Sequence, residues 1–244
     1  SLCRKPAGSG AVRCWGVGEG IMDPRITSLL RDGAGGLVFG TSGGVLGRLG
    51  SPRVRSITPA QGLPAPAVFS VLEDRQGDVW ITTSGGLVRA PGGDLNKLTP
   101  VDTAADCLRS MAEGPDGALW VATCDDGLHV SRDRARFERV AEVASNTIES
   151  VAVTRAGDVY LGPYEGGLLV RRATDERFEV RALPSGTCAP GTPHPCPASV
   201  VNVRETADGS LWIVTRGRGL YRLQGEALRR YGADEGVRAE RLDG

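Results

Sequence analysis

The chain repeats itself, and the repeat limits what it can fold into. "RDGAGGLVFGTSGGVLGR" (31–48) is followed by "EDRQGDVWITTSGGLVR" (73–89) and "EGPDGALWVATCDDGLHVSR" (113–132). "TRAGDVYLGPYEGGLLVRR" (154–172) and "TADGSLWIVTRGRGLYR" (206–222) complete five versions of one pattern. A unit this short cannot bury its own apolar faces, so the units must stack on one another.

The register follows from counting. An apolar opener stands at Ile26, Val68, Cys107, Ile148 and Val200, and a polar turn residue follows six positions on at Asp32, Asp74, Glu113, Thr154 and Thr206. A glycine comes three or four residues later, at Gly35, Gly77, Gly117, Gly157 and Gly209, then a bulky residue at Val38, Trp80, Trp120, Tyr160 and Trp212. A second glycine precedes another apolar run, at Gly44, Gly86, Gly127, Gly167 and Gly219. The steps between first glycines are 42, 40, 40 and 52 residues. Within a unit the apolar period is two, and β-branched and aromatic residues dominate. "DRQG" and "SGG" are turn sequences whose glycines accept φ > 0. Four strands of about five residues with four short links come to roughly 40 residues. Each unit therefore reads as a four-stranded antiparallel meander, and no segment carries a helical period.

A four-stranded repeat of this length is a propeller blade. The expected fold is all-β, a β-propeller with about five blades visible here and belonging to a seven-bladed or longer array. The opener strand lines the channel, and the Trp strand packs between blades. Three of the four tryptophans occupy one repeat position, so Trp and Gly here make scaffold rather than chemistry. A second motif joins the blades: Gly20, Gly62 and Gly236 each stand six positions before the next opener, at Ile26, Val68 and Leu242. The expected organisation is an N-terminal segment (1–19) with an outer strand of an incomplete blade at 11–15. Five blades follow within 20–236, at about 20–61, 62–102, 103–142, 143–182 and 183–232. Residues 237–244 would lead into a sixth blade, so the chain reads as cut from a longer array, with a closed five-bladed ring as the alternative.

Six cysteines remain to be placed. Cys107 and Cys124 lie almost symmetrically about the turn "EGPDG" and should face each other across a hairpin, within reach of a disulfide. Cys188 and Cys196 bracket "APGTPHP", which leaves Cys3 with Cys14. Three such pairs indicate an oxidising compartment, periplasmic or extracellular. Zinc is the rival, but CxxC spacing is missing and only His129 and His194 are available, so no metal or cofactor is expected.

Composition closes other classes. Lys plus Arg and Asp plus Glu are 29 each, a balance that argues against nucleic acid or an anionic membrane as the main partner. No apolar run approaches the ~18 residues a membrane helix needs.

The run "VFSVLEDRQGDVWITTSGGLVR" and its lead-in "QGLPAPAVFSV" resemble the two-component regulator propeller repeat. Motif, spacing and multiplicity agree over about residues 20–242. The resemblance implies a seven-bladed propeller, often two in tandem. It implies the periplasmic sensor part of a transmembrane histidine kinase, hybrid kinase or diguanylate cyclase, with a carbohydrate fragment as signal in several relatives. Implied partners are thus a small-molecule ligand such as a carbohydrate, the receptor's own transmembrane and output domains outside this chain, and a second copy in a homodimer. The sequence departs from the family in showing five repeats, in Val38 and Tyr160 at Trp positions, and in lacking any kinase or cyclase region.

Propellers bind at the channel mouth, where the loops before the first strand and those between the second and third strands share a face. The second-to-third-strand loops vary while the scaffold repeats. They offer Asp125, Asp126, Tyr164, Glu165, Arg216 and Arg218, a set suited to a sugar or an acidic ligand. His194 lies in the proline-rich insertion that lengthens the last step. A protein-interaction propeller without small ligand is the alternative reading. Enzymes fit less well: nothing marks Asp125 or Asp126 with Glu165 as a glycosidase pair, and His129 falls within a strand, away from the loops where a lyase base would stand. Acyl and phosphoryl transfer have no motif, and the visible chain is read as no enzyme.

Overall fold

Tight turns between first and second strands set up each blade. The five first glycines take φ of 79–93°, a conformation that side chains resist. They let the chain reverse between the first and second strands, closed by backbone bonds such as Asp74 N–H to the Asp78 carbonyl at 2.9 Å and Gly77 N–H to the Asp74 carbonyl at 2.9 Å. The protein is seen here as a computed structural model. It describes the chain apart from residues 1, 6, 7, 9, 10, 50–53, 66, 166, 184–198, 217, 218 and 238–244.

Five four-stranded antiparallel sheets result, each with its strands in sequence order. Blade one is Ile26–Arg31, Leu37–Thr41, Leu46–Leu49 and Val54–Ile57. Blade two is Val68–Glu73, Val79–Thr83, Gly86–Ala90 and Thr99–Val101. Blade three is Leu108–Glu113, Leu119–Thr123, Leu128–Ser131 and Glu138–Arg139. Blade four is Ile148–Val153, Val159–Pro163, Leu168–Arg171 and Glu179–Arg181. Blade five is Val200–Glu205, Leu211–Thr215, Gly219–Gln224 and Ala227–Tyr231. The fold is a β-propeller. Among the described residues there is no α-helix, and no helix long and apolar enough to cross a membrane.

One sequence expectation moves. Blade three opens at Leu108, and its turn residue is Gly114, whose N–H bonds the Ala118 carbonyl as Asp74 bonds Asp78. Cys107 and Glu113 therefore sit one place earlier in the repeat than counting put them. With that shift the first glycine follows the turn residue by three positions in every blade. The strict two-residue period also gives way: the first strand's register slips between Ile26 and Ser28, Val68 and Ser70, Ile148 and Ser150, and Val200 and Asn202. The extra residue is a β-bulge.

The chain divides into two compact units, Ser1–Arg109 and Ser110–Gly244. In the first, Val38, Leu46 and Ile57 of blade one pack on Val79, Ile81 and Val88 of blade two. In the second, Trp120 and Val130 of blade three meet Val151 and Leu161 of blade four, and Tyr160 and Val170 meet Ile213 and Tyr221 of blade five. Val38, Trp120 and Tyr160, at the Trp position, face the following blade, while Val79, Ile81, Val159, Leu161 and Ile213 beside that position face the preceding one. Serines of the first strand tie blades together: the Ser150 hydroxyl donates to the Val200 carbonyl at 3.4 Å, and the Val151 N–H donates to Ser110 Oγ at 3.2 Å.

The blade-joining motif is a single turn of 3-10 helix. Glu19 Oε2 and Gln61 Oε1 accept the N–H of Gly16 and Thr58 at 2.8 Å, three residues back. The turns end at Gly20 and Gly62 in the left-handed region, and Ile21 and Leu63 then enter the core. Residues 233–235 form the same turn, with Glu235 Oε2 accepting the Gly232 N–H at 2.8 Å. At the other end Arg13–Trp15 is a strand paired with Leu2–Arg4, with Cys3 opposite Cys14. A disulfide joins these two cysteines. Cys107 and Cys124 are likewise bonded. Cys188 and Cys196 lie outside the described residues.

Arginines on third strands clamp the turns. Arg89 bonds Asp78 and lies 5.4 Å from the Trp80 ring centroid. Arg172 bonds Asp158 at 2.9 Å and the Tyr160 hydroxyl at 3.0 Å. Arg222 bonds Asp208 at 2.7 Å over Trp212. Asp208 and Glu226 are held below their ordinary range. For Asp208 the Thr206 hydroxyl contributes most, followed by the Ser210 N–H, the Ser210 hydroxyl and then the Arg222 charge; for Glu226 the Arg181 hydrogen bond leads. A carboxyl with a depressed folded-state pKa stabilises the fold above its unfolded pKa of about 4, and that contribution is lost as pH falls through the acid range. The melting temperature should therefore fall between about pH 5 and pH 3, and Asp208→Asn should flatten that decline. A profile identical to that of the unmodified chain would contradict this.

Candidate functional site

Four blades share one backbone bond at the same place. The first residue of the second-to-third-strand loop donates its N–H to the carbonyl just before the blade's first strand. The pairs are Ser42 to Arg25 at 3.1 Å, Ser84 to Ala67 at 3.0 Å, Tyr164 to Thr147 at 3.1 Å and Arg216 to Ser199 at 2.9 Å. In blade three the corresponding residues are Cys124 and Cys107, the disulfide pair. These bonds place the variable loops beside the lead-ins to the first strands. The same backbone position thus presents Ser, Ser, Cys, Tyr and Arg in the five blades.

Below that position the loops are held by the threonine that ends the second strand. Thr83, Thr123 and Thr215 donate their hydroxyls to the carbonyls of Gly86, Gly127 and Gly219 at 2.7–2.9 Å. In blade four Pro163 replaces this threonine, and Tyr164 follows it.

In the second unit the frame brings two of the candidates together. The Arg216 guanidinium carbon lies 5.8 Å from the centroid of the Tyr164 ring, and Tyr164 is 47% exposed. Tyr164 is held by Thr147, whose carbonyl accepts its N–H and whose hydroxyl donates to the Cys124 carbonyl at 2.8 Å. Thr147 had escaped the sequence reading. It stands directly before the blade-four opener, and it aligns with Cys107 only once blade three is shifted to open at Leu108.

Asp125 and Glu165 occupy the second loop position of blades three and four, and both are exposed. Neither has an ion pair or side-chain hydrogen bond among the described residues. Asp126 behaves differently. Its carboxylate meets Nε2 of buried His129 at 2.8 Å and Nε of Arg139 at 3.2 Å, and Arg139 also bonds Asn146 at 3.1 Å. Asp126 and His129 thus brace the loop from within, and the histidine is shut away from solvent. Arg218 and His194 lie outside the described residues. Among the described residues no cluster of three or more His, Cys, Asp or Glu could hold a metal ion.

Comparison with known proteins agrees with this scaffold. The two component regulator propeller family matches residues 62–85, which run from the blade-two lead-in to its second loop. No curated protein matches the sequence. Among solved structures, the extracellular domain of BT3049 from B. thetaiotaomicron, described as a hybrid two component system, superposes with a TM-score of 0.73 at 18% identity. That match covers 89% of this chain and 31% of the other. The extracellular domain of BT4673 from the same organism, described as a one component system, gives 0.70 at 18% identity, over 86% of this chain and 28% of that one. The chain therefore spans about a third of the length of these two. Virginiamycin B lyase from Staphylococcus aureus gives 0.65 at 11% identity, over 85% and 69%. At such identities the likeness concerns the fold alone.

Proposed function

We propose that this chain, which carries the two-component regulator propeller repeat at residues 62–85, is the ligand-sensing part of an extracytoplasmic signalling receptor. The loop face of blades three to five takes the ligand. Output passes through membrane and signalling regions outside this chain. The observation that carries the reading is the Tyr164–Arg216 pair, two functional side chains set by the same backbone bond that holds serines in blades one and two. A rigid repeated frame with variable loop side chains is how scaffolds present binding groups. The disulfides Cys3–Cys14 and Cys107–Cys124 favour an oxidising compartment. The likeness to extracellular domains of signalling systems points the same way. The burial of His129 disfavours a lyase base at this face.

A thermal-shift screen of the oxidised chain against oligosaccharides, amino acids and organic acids tests this. A ligand at about 100 times its Kd stabilises by about 2.7 kcal/mol, a clear rise in melting temperature. The expected result is at least one saturable hit that disappears in Tyr164→Ala. Silence across all three classes would favour a protein-interaction propeller instead.

A further inference from the structure

The chemistry of the ligand can be narrowed from charge pairing, on the premise that the loop face binds one. Four arginines on or just after third strands meet carboxylates: Arg48 with Asp32, Arg89 with Asp78, Arg172 with Asp158, Arg222 with Asp208. Arg216 does not. Among the described residues its guanidinium touches only the Tyr164 ring, and no carboxylate or carbonyl accepts its N–H groups. Guanidinium against an aromatic face is a favourable contact that leaves the planar fork's donors free. A carboxylate is the group that satisfies such a fork bidentately.

Among the described loop residues, Arg216 does not stand in a basic field. Asp125 and Glu165 present two exposed carboxylates from the same loop set, and neither is compensated among the described residues. A multiply charged anion would be attracted by Arg216 and repelled by these two. A neutral sugar would leave both kinds of charge unanswered. A molecule carrying one carboxylate and one ammonium answers both, and the repulsive element excludes simple acids.

We infer that the loop face takes a zwitterion, a free α-amino acid or a dipeptide. Its carboxylate sits on Arg216, its ammonium on Glu165 or Asp125, and its side chain against the Tyr164 ring. Thr147 is a positioning residue, holding Tyr164 through the backbone.

The test titrates the oxidised chain calorimetrically with each of the twenty L-amino acids and with a set of dipeptides. The best binder is then compared with its 2-hydroxy acid and its decarboxylated amine, and a set of neutral oligosaccharides runs in parallel. At least one zwitterion should bind saturably, and each single-charge analogue at least tenfold more weakly. Arg216→Gln should cost tenfold or more in affinity, with the fold intact by circular dichroism. Glu165→Gln combined with Asp125→Asn should lower affinity for the amino acid and raise it for the 2-hydroxy acid. Equal binding of hydroxy acid and amino acid would overturn the inference. So would oligosaccharide binding that survives Arg216→Gln and fails in Tyr164→Ala, an outcome that leaves the sensor reading standing. No binding by any probe would sink both.

Discussion

Trp80→Ala should lower the unfolding free energy by about 3–5 kcal/mol, as large-to-small changes at buried aromatic sites do. The Trp80 side chain is fully buried. Its Nε1–H donates to Asp74 Oδ2 at 2.8 Å, while Asp74 Oδ1 accepts the N–H groups of Gln76 and Asp78 at 2.9 and 3.0 Å. Removing the indole opens a buried cavity and takes a donor from a buried carboxylate, so transfer, cavity and desolvation costs add. Trp80→Phe keeps most of the volume and loses the donor, and should cost about 1–3 kcal/mol. Urea unfolding followed by circular dichroism measures both. If Trp80→Ala stayed within about 1 kcal/mol of the unmodified chain, the motif's Asp–Trp pair would not hold the blade as described.

Gly162→Val should be the most damaging change on the loop-bearing half of blade four, at about 3 kcal/mol. A Cβ there would collide with the Val200 carbonyl and the Ser150 hydroxyl, which themselves bond at 3.4 Å. The obstacle is backbone of the next blade, which cannot rotate away. Gly40 of blade one is similarly closed in by Val68 and Ser28. The same repeat position holds Thr82, Ala122 and Val214 in the other blades, so the requirement comes from local blade spacing rather than from strand chemistry. Gly162→Ala should cost roughly half as much. Wild-type stability in the valine variant would mean the blades can part without penalty.

The repeat was readable because its causes are local. Turn glycines and alternating strands act within a few residues, and counting found the glycines in all five blades. Counting went astray by one at Cys107 because Cys and Leu108 are both apolar, and only the pairing of Gly114 with Ala118 fixes which one opens the strand. The bulge after the openers of blades one, two, four and five was hidden for a similar reason: an extra residue in one strand shows only against its partner. The arginine clamps on Asp78, Asp158 and Asp208 were missed because the partners stand 11–14 residues apart and meet only once strands are laid side by side.

By itself the sequence determined the architecture: five four-stranded blades, the Trp position between them, the glycine-ended joining turns and the Cys107–Cys124 pair. It also marked the loop set carrying Asp125, Asp126, Tyr164, Glu165 and Arg216. The tertiary structure alone decided how those loop residues divide. It turned Asp126 inward to His129 and Arg139, brought Arg216 over Tyr164 on the neighbouring blade, and left Asp125 and Glu165 facing solvent. Which charges are already paired depends on contacts between strands and blades far apart in the chain, and residue types in a row do not encode those distances.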